Sequence, residues 1–192
     1  MAKRVFFSFH YNDVIDFRAN TVRNHWLTKK NREAAGFFDA SIWENAKKDS
    51  IMALKRLINN GIKNTSNTCV LIGSETTNRR WVKYEIFKSM EAGNHIFGVH
   101  INKIKGKDQK TKNYGINPFE NLGYHYSNDG KRIHPIEYKN SKWIFYKDFN
   151  SYLLSRPAPR NKCGKSFQLS SDYKTYCWNK DDGYNNFSNW VK

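Results

Sequence analysis

TCVLIGSETTNRRWVKYEIFKSMEAGNHIFGVHI, from Thr68 to Ile101, holds two apolar runs separated by one amphipathic segment. The runs Thr68–Gly73 and His95–Ile101 do not alternate polar with apolar residues, so each reads as a strand covered on both faces. Between them Val82, Ile86, Phe87 and Met90 recur at helical spacing and form the core stripe of a helix over Arg79–Gly93, which Gly93 stops. The turn SETTN ahead of it offers several capping residues. At about 100° per residue, Trp81 and Glu85 fall together on the edge of the stripe, with Ser89 and Ala92 beside them, and Lys83 is close enough to the stripe to snorkel. On the helix alone, a carboxylate one turn after a Trp is an ordinary solvated surface residue.

The same alternation extends to the N-terminus. RVFFSF (Arg4–Phe9) reads as a buried strand, and HYND follows as a loop in which Asn12 or Asp13 can cap a helix. Val14, Phe17, Val22 and Trp26 place that helix from Val14 to about Lys30. A second strand is expected at Gly36–Asp39, then a polar loop, SIWENAKKD, then a helix over Ser50–Asn60 that Gly61 ends. Strand and helix in turn through Ile101 predict an α/β fold: a parallel sheet with helices on both faces. A 2-1-3-4-5 strand order sets the loops after the first and third strands, HYND and GSETTN, side by side at the carboxyl edge, where open sheets bind ligands. Glu85 then faces that cleft beside His10 and Tyr11.

Residues 102–125 break the rhythm and, being rich in Lys and Gly, read as an exposed loop. Asn128-Asp129-Gly130 can turn a hairpin between LGYHY and RIHPIEY, KWIFYKDF is a further short aromatic segment, and RPAPR (Arg156–Arg160) interrupts the chain. This divides the chain into residues 1–155, with a motif core at 4–101, and a C-terminal extension of the same domain at 156–192. The end of that extension is too aromatic to be loose, so it is expected to pack back on the sheet.

Of the 192 residues 39% are hydrophobic and 16% aromatic, enough for a real core. No run approaches the ~20 apolar residues of a membrane span. VFFSF is too short for the apolar region of an export signal, so a cytoplasmic location is expected. Cys69, Cys163 and Cys177 show no metal-ligand spacing and are expected as free thiols. A net charge of +16 draws anionic partners without choosing among them. Its lysines are scattered, and there is no basic recognition helix, so specific nucleic-acid binding is not expected. No G-x-G-x-x-G, G-x-x-x-x-G-K-[ST], H-E-x-x-H or G-x-S-x-G occurs, and no metal ligand set is apparent. His95 and His100 read as structural. One candidate carboxylate with aromatic company remains.

RVFFSFHYND and VLIGSETTNRRWVKYEI resemble the first and later boxes of Toll/interleukin-1 receptor (TIR) domains: hydrophobic-Phe-hydrophobic-Ser-aromatic before a polar loop, and an apolar strand, a Ser-led loop, then Trp, three residues, Glu. Over nearly the whole chain, including DDGYNNFSNWV near its end, the sequence resembles the TIR-like ThsB family of sensors in the bacterial Thoeris antiphage systems. The resemblance implies a TIR-type, flavodoxin-like sheet and an enzyme that cleaves NAD as substrate, with no further cofactor and no metal. It would release nicotinamide and form a cyclic ADP-ribose isomer, a diffusible signal for a separate effector protein, after a phage-derived trigger. Glu85 takes the catalytic position and Trp81 the aromatic wall. Ser8, Phe9, His10 and Tyr11 take the first-loop positions near the nucleotide, and Ser74 sits at the end of the third strand. Many TIR domains carry Tyr and basic residues in that first loop. Arg18 is the substitute cation to consider, although as a helix residue it is expected to be solvated. A non-enzymatic TIR interaction module is the alternative, and the Trp81-x-x-x-Glu85 spacing speaks against it.

Overall fold

The computed structural model describes residues 3–37 and 40–192. Alternation begins with β1 (Lys3–Ser8), followed by α1 (Tyr11–Ile15), α2 (Arg18–Leu27) and β2 (Arg32–Ala35). Next come α3 (Ala40–Asp49), α4 (Ile51–Ile62), β3 (Asn67–Ile72), α5 (Arg80–Glu91) and β4 (His95–His100). An antiparallel unit follows, with β5 (Leu122–Tyr126), β6 (Arg132–Lys139), β7 (Lys142–Phe145) and β8 (Tyr152–Leu153). The chain closes with β9 (Ser166–Gln168), β10 (Thr175–Cys177) and α6 (Gly183–Trp190).

Among the described residues the main sheet is parallel, in the order β2-β1-β3-β4-β10. That is the expected doubly wound order, with its fifth strand supplied by the tail. Both faces are covered. Val5, Phe7, Cys69, Leu71, Phe97 and Val99 point to α2 and α6, whereas Val70, Ile72 and Ile96 meet α5 and the antiparallel unit. Phe6 packs under α4 with Leu54, Ile58 and Ile62. The tail is core: the Phe187 ring lies 5.6 Å from that of Trp26, 5.9 Å from those of Phe97 and Trp190 and 6.1 Å from that of Phe7. Asn67 in β3 clamps the terminus, donating to the Lys192 carbonyl at 2.8 Å and accepting from its N–H at 2.9 Å. The second sheet runs β7-β6-β5-β9, with β8 also on β6, and Asn128-Asp129-Gly130 turns its first hairpin as the sequence suggested.

Several expected boundaries move. The second strand is Arg32–Ala35 rather than Gly36–Asp39; Phe38 and Asp39 lie outside the described residues. Gly36 has φ 91°, and a Cβ there would stand 2.2 Å from the Phe7 carbonyl oxygen, so it turns the chain out of the sheet. SIWENAKKD is not a loop but α3, where helix-forming Glu, Ala and Lys prevail over a pattern without a broad apolar stripe. Ser50 is the cap of α4 and accepts from the Ala53 N–H at 3.0 Å. Helix α4 runs through Gly61 because Ile62 still packs against Leu54 and Ile58. The helix expected over Val14–Lys30 breaks at Phe17, which takes a left-handed φ of 63°. This break turns Arg18 inward, where it is 1% exposed, not solvated. Its Nε donates to the Ile104 carbonyl at 3.0 Å, and its guanidinium also reaches the Lys110 carbonyl and Asp16, both at 2.7 Å. The Lys-rich segment after β4 is therefore pinned at its centre and not wholly exposed. Lys83 does not snorkel to open solvent but pairs with Glu137 of β6 at 2.8 Å. All three cysteines are free, Cys69 in the core.

Candidate functional site

The first and third strands end side by side, and the ends of β1, β2 and the start of α5 surround a cavity of about 510 Å³. Phe7, Phe9, His10, Tyr11 and Asn12 come from β1 and its loop, and Gly36 from the end of β2. Glu44 of α3 faces it, and Asn78, Arg79, Arg80, Trp81, Val82 and Glu85 come from the third-strand turn and α5. Glu85 is 6% exposed and accepts a 2.6 Å hydrogen bond from the hydroxyl of Ser8, which is buried behind it. Burial pushes the Glu85 carboxyl up to about 8, and the Ser8 hydrogen bond only partly offsets that. At neutral pH the carboxyl is therefore protonated until a positive charge meets it. A cation placed against it favours the carboxylate, since an opposite charge lowers a carboxyl pKa.

The aromatic walls are held by their neighbours. The Trp81 ring lies under the Arg80 guanidinium at 4.9 Å and edge-on to Tyr84 at 5.9 Å. Arg80 is held by Asp148, whose Oδ2 accepts from its Nε at 2.8 Å. Phe9 packs on Phe37 with ring centroids 4.4 Å apart. His10 stands 3.8 Å from Glu75. Burial, then the Arg79 charge, lowers its pKa, so its imidazole is neutral near pH 7. Arg79 pairs with Glu75, and together with Arg80 it puts two guanidinium groups at the amino end of α5, where backbone N–H groups and the helix dipole also favour anions.

The structure thus gathers Phe9, His10, Tyr11, Trp81 and Glu85 on one cavity, with Ser8 touching Glu85 from behind. Ser74 is exposed and does not line it. Sequence reading missed Asn12, Asn78, Arg79, Arg80 and Glu44. The two arginines stood in the deciding stretch, but their N-terminal position on α5 was the only signal of an anion site. Glu44 lay in a segment read as a loop.

A buried Glu one turn after a Trp, on the helix that follows the third strand and opposite the first-strand loop of a 2-1-3-4 parallel sheet, defines a TIR-like α/β domain. The chain belongs to the Thoeris ThsB family: residues 6–106 match the family described as Thoeris protein ThsB, TIR-like domain. Over 191 residues, covering 100% of both chains, it is 62% identical to a Bacillus cereus (strain MSX-D12) protein provisionally named cyclic ADP-D-ribose synthase ThsB1.

Proposed function

We propose that the chain is a TIR-type enzyme that cleaves NAD, releases nicotinamide and closes the remainder into a cyclic ADP-ribose isomer, which serves as a signal. The carrying observation is the Glu85 carboxyl, buried against Ser8 inside an aromatic-walled cavity of nucleotide size. The full-length likeness to a relative provisionally named for that synthesis supports it. Breaking the bond between ribose C1′ and the pyridinium nitrogen sends the electron pair to nitrogen and leaves an oxocarbenium-like carbon, as in glycoside hydrolysis. Glu85 meets the charged nicotinamide first, loses its proton in that field, and then stands as a carboxylate against the developing cation. A hydroxyl oxygen of the substrate's own adenosine ribose attacks C1′ and passes its proton to the Glu85 carboxylate, which closes the ring and restores the protonated acid; water in its place gives linear ADP-ribose. Trp81, Phe9 and Tyr11 hold the folded substrate and keep water from C1′, while Arg79 and Arg80 face the pyrophosphate.

In this reading the chain is the sensor half of an antiphage pair. A phage-derived trigger starts turnover, and the cyclic product reaches a separate effector. Among the described residues no helix is long and apolar enough to cross a membrane, and the proposed place of work is the cytoplasm. The test is nucleotide profiling by mass spectrometry of cells expressing the chain, with and without phage, beside chromatography of nicotinamide release by the purified protein. A cyclic ADP-ribose isomer that disappears with Glu85→Gln is the expected result. Its absence under infection, with the folded protein present, refutes the reading.

A further inference from the structure

A second cavity, of about 550 Å³, lies beyond the carboxyl ends of β4 and β10 and shares no lining residue with the first. His100, Asn102, Lys103, Tyr114, Lys180 and Asp181 carry its chemistry. His100 is 2% exposed and Asn102 1%, yet among the described residues His100 Nδ1 and Asn102 Oδ1 have no hydrogen-bond partner. A buried polar atom left unpaired costs ~1–3 kcal/mol, so two in one cavity are unusual. The other ends of both side chains are in use. Asn102 Nδ2 donates to the Lys112 carbonyl at 3.4 Å, and His100 Nε2 lies 2.7 Å from the Tyr114 hydroxyl. Burial lowers the His100 pKa to about 4, so the ring is neutral. The cavity then offers Asn102 Oδ1 as an acceptor and His100 Nδ1 as donor or acceptor according to its tautomer.

That pair complements the edge of a nucleobase, as adenine presents an amino group beside a ring nitrogen. The Tyr114 ring stacks on His100, with centroids 4.1 Å apart and planes at 19°, while remaining 66% exposed, which makes it a shelf for a planar ring. Lys103 and Lys180 are exposed at the rim and suit a phosphate. Asp181 is the opposing charge, but its carboxylate is held by the Cys177 N–H at 2.6 Å.

The shelf is joined to the catalytic cavity. Gly115, next to Tyr114, approaches the end of β3 so closely that a Cβ would lie 1.9 Å from the Gly73 carbonyl oxygen. The Thr77 hydroxyl donates to the Ile116 carbonyl. Gly73 and Thr77 bound the turn that carries Asn78 and Arg79 into the wall around Glu85.

We propose that the His100–Asn102–Tyr114 cavity is a second ligand site, for a small phosphate-bearing nucleotide, and that its occupancy acts on the Glu85 cavity through residues 114–116. The binding half stands alone, while the coupling half rests on the proposed NAD-cleaving activity. Binding is tested on full-length Glu85→Gln protein, titrated with AMP, ADP-ribose or inorganic phosphate while the ring signals of His100 and Tyr114 are followed by NMR. Saturable shifts with AMP or ADP-ribose, absent with phosphate and weakened at least tenfold by K103E with K180E, are expected. The tighter of the two probes tells a free mononucleotide from a product of the chain's own chemistry. No shift with either nucleotide, or equal shifts with phosphate alone, overturns the site. Coupling is tested by nicotinamide release from active protein. AMP should change the rate at least threefold in the parent and not in Tyr114→Ala, a change at an exposed ring that spares the core. Inhibition that persists in Tyr114→Ala places AMP in the catalytic cavity and overturns the coupling. If the parent releases no nicotinamide even with extract of phage-infected cells as trigger, the enzymatic reading fails and the NMR result remains.

Discussion

Replacing Glu85 with Gln should inactivate the protein and at the same time make it more stable, by an amount that depends on pH. The Glu85 carboxyl is protonated in the folded protein up to about pH 8, whereas in the unfolded chain it ionises around its ordinary value of 4.5. Between those values the unfolded state has released the proton and the folded state has kept it, so stability falls as pH rises. Each pH unit in that window removes ~1.4 kcal/mol, which accumulates to roughly 3 kcal/mol at pH 7 and levels off above pH 8. Water entering the cavity makes this a ceiling. Gln has the shape of the protonated acid, can still accept from Ser8, and never ionises. Set against the parent, Glu85→Gln should melt at nearly the same temperature at pH 5 and up to about 6–12 °C higher at pH 7, taking roughly 2–4 °C per kcal/mol for a chain of this size. The buried carboxyl of Asp13, raised to about 6, titrates in both proteins and cancels in the difference. Calorimetric melts of both proteins from pH 5 to 9 make the measurement. A melting difference that does not change with pH, or a Gln variant less stable at pH 8, would refute the placement of an uncharged acid in the cavity.

Ser8→Ala removes the hydrogen bond that lowers the Glu85 pKa, so the acidic limb of kcat/KM against pH should move to higher pH; an unmoved limb argues that Glu85 is not the group being titrated. Trp81→Ala opens a wall of the cavity and should raise the ratio of linear to cyclic product by about tenfold with the fold intact, measured by chromatography of both products. Phe187→Ala cuts the ring at the centre of the tail's packing and should cost about 3–5 kcal/mol, read from denaturant melts; a loss under 1 kcal/mol would mean that the tail is not core. A labelled DNA duplex should bind only weakly and lose that binding between low and physiological salt, and sequence-dependent binding that persists would revive the nucleic-acid reading.

The parts of this fold legible in the sequence are those with a strong local pattern. β3, α5 and β4 were readable because unbroken apolar runs and a 3.6-residue stripe carry their own geometry. β10 was not, since Thr175–Cys177 is three residues without a pattern of their own, held in the sheet by pairing with β4 and by Tyr176 stacked on Trp190 of α6. Arg18 misled for a related reason. A cation in a helix is solvated unless distant carbonyls come to meet it, and Ile104 and Lys110 lie far along the chain. Helix α3 has no broad stripe to see, and missing it hid Glu44 from the cavity.

The position of Glu85 on its helix explains the form of the site better than its identity does. A residue in the middle of the α5 stripe would be sealed under the sheet like Ile86, and one on the outer face would be hydrated like Lys88. On the edge, its carboxyl is desolvated by the core on one side and open to a cavity on the other, so burial raises its pKa while leaving a route for a substrate to reverse that shift. Ser8, the last residue of β1, supplies the one side-chain hydrogen bond to Glu85 among the described residues, and it keeps the ionised form within reach. Without it desolvation would hold the proton through the reaction, and with several more donors the carboxylate would be satisfied before any cation arrived. One donor and a dry wall make the ionisation of Glu85 conditional on a positive charge in the cavity. That condition is met by the nicotinamide ring of NAD and then by the ribosyl cation that its departure leaves, so the same geometry that destabilises the protein alone near neutral pH is what would stabilise the transition state.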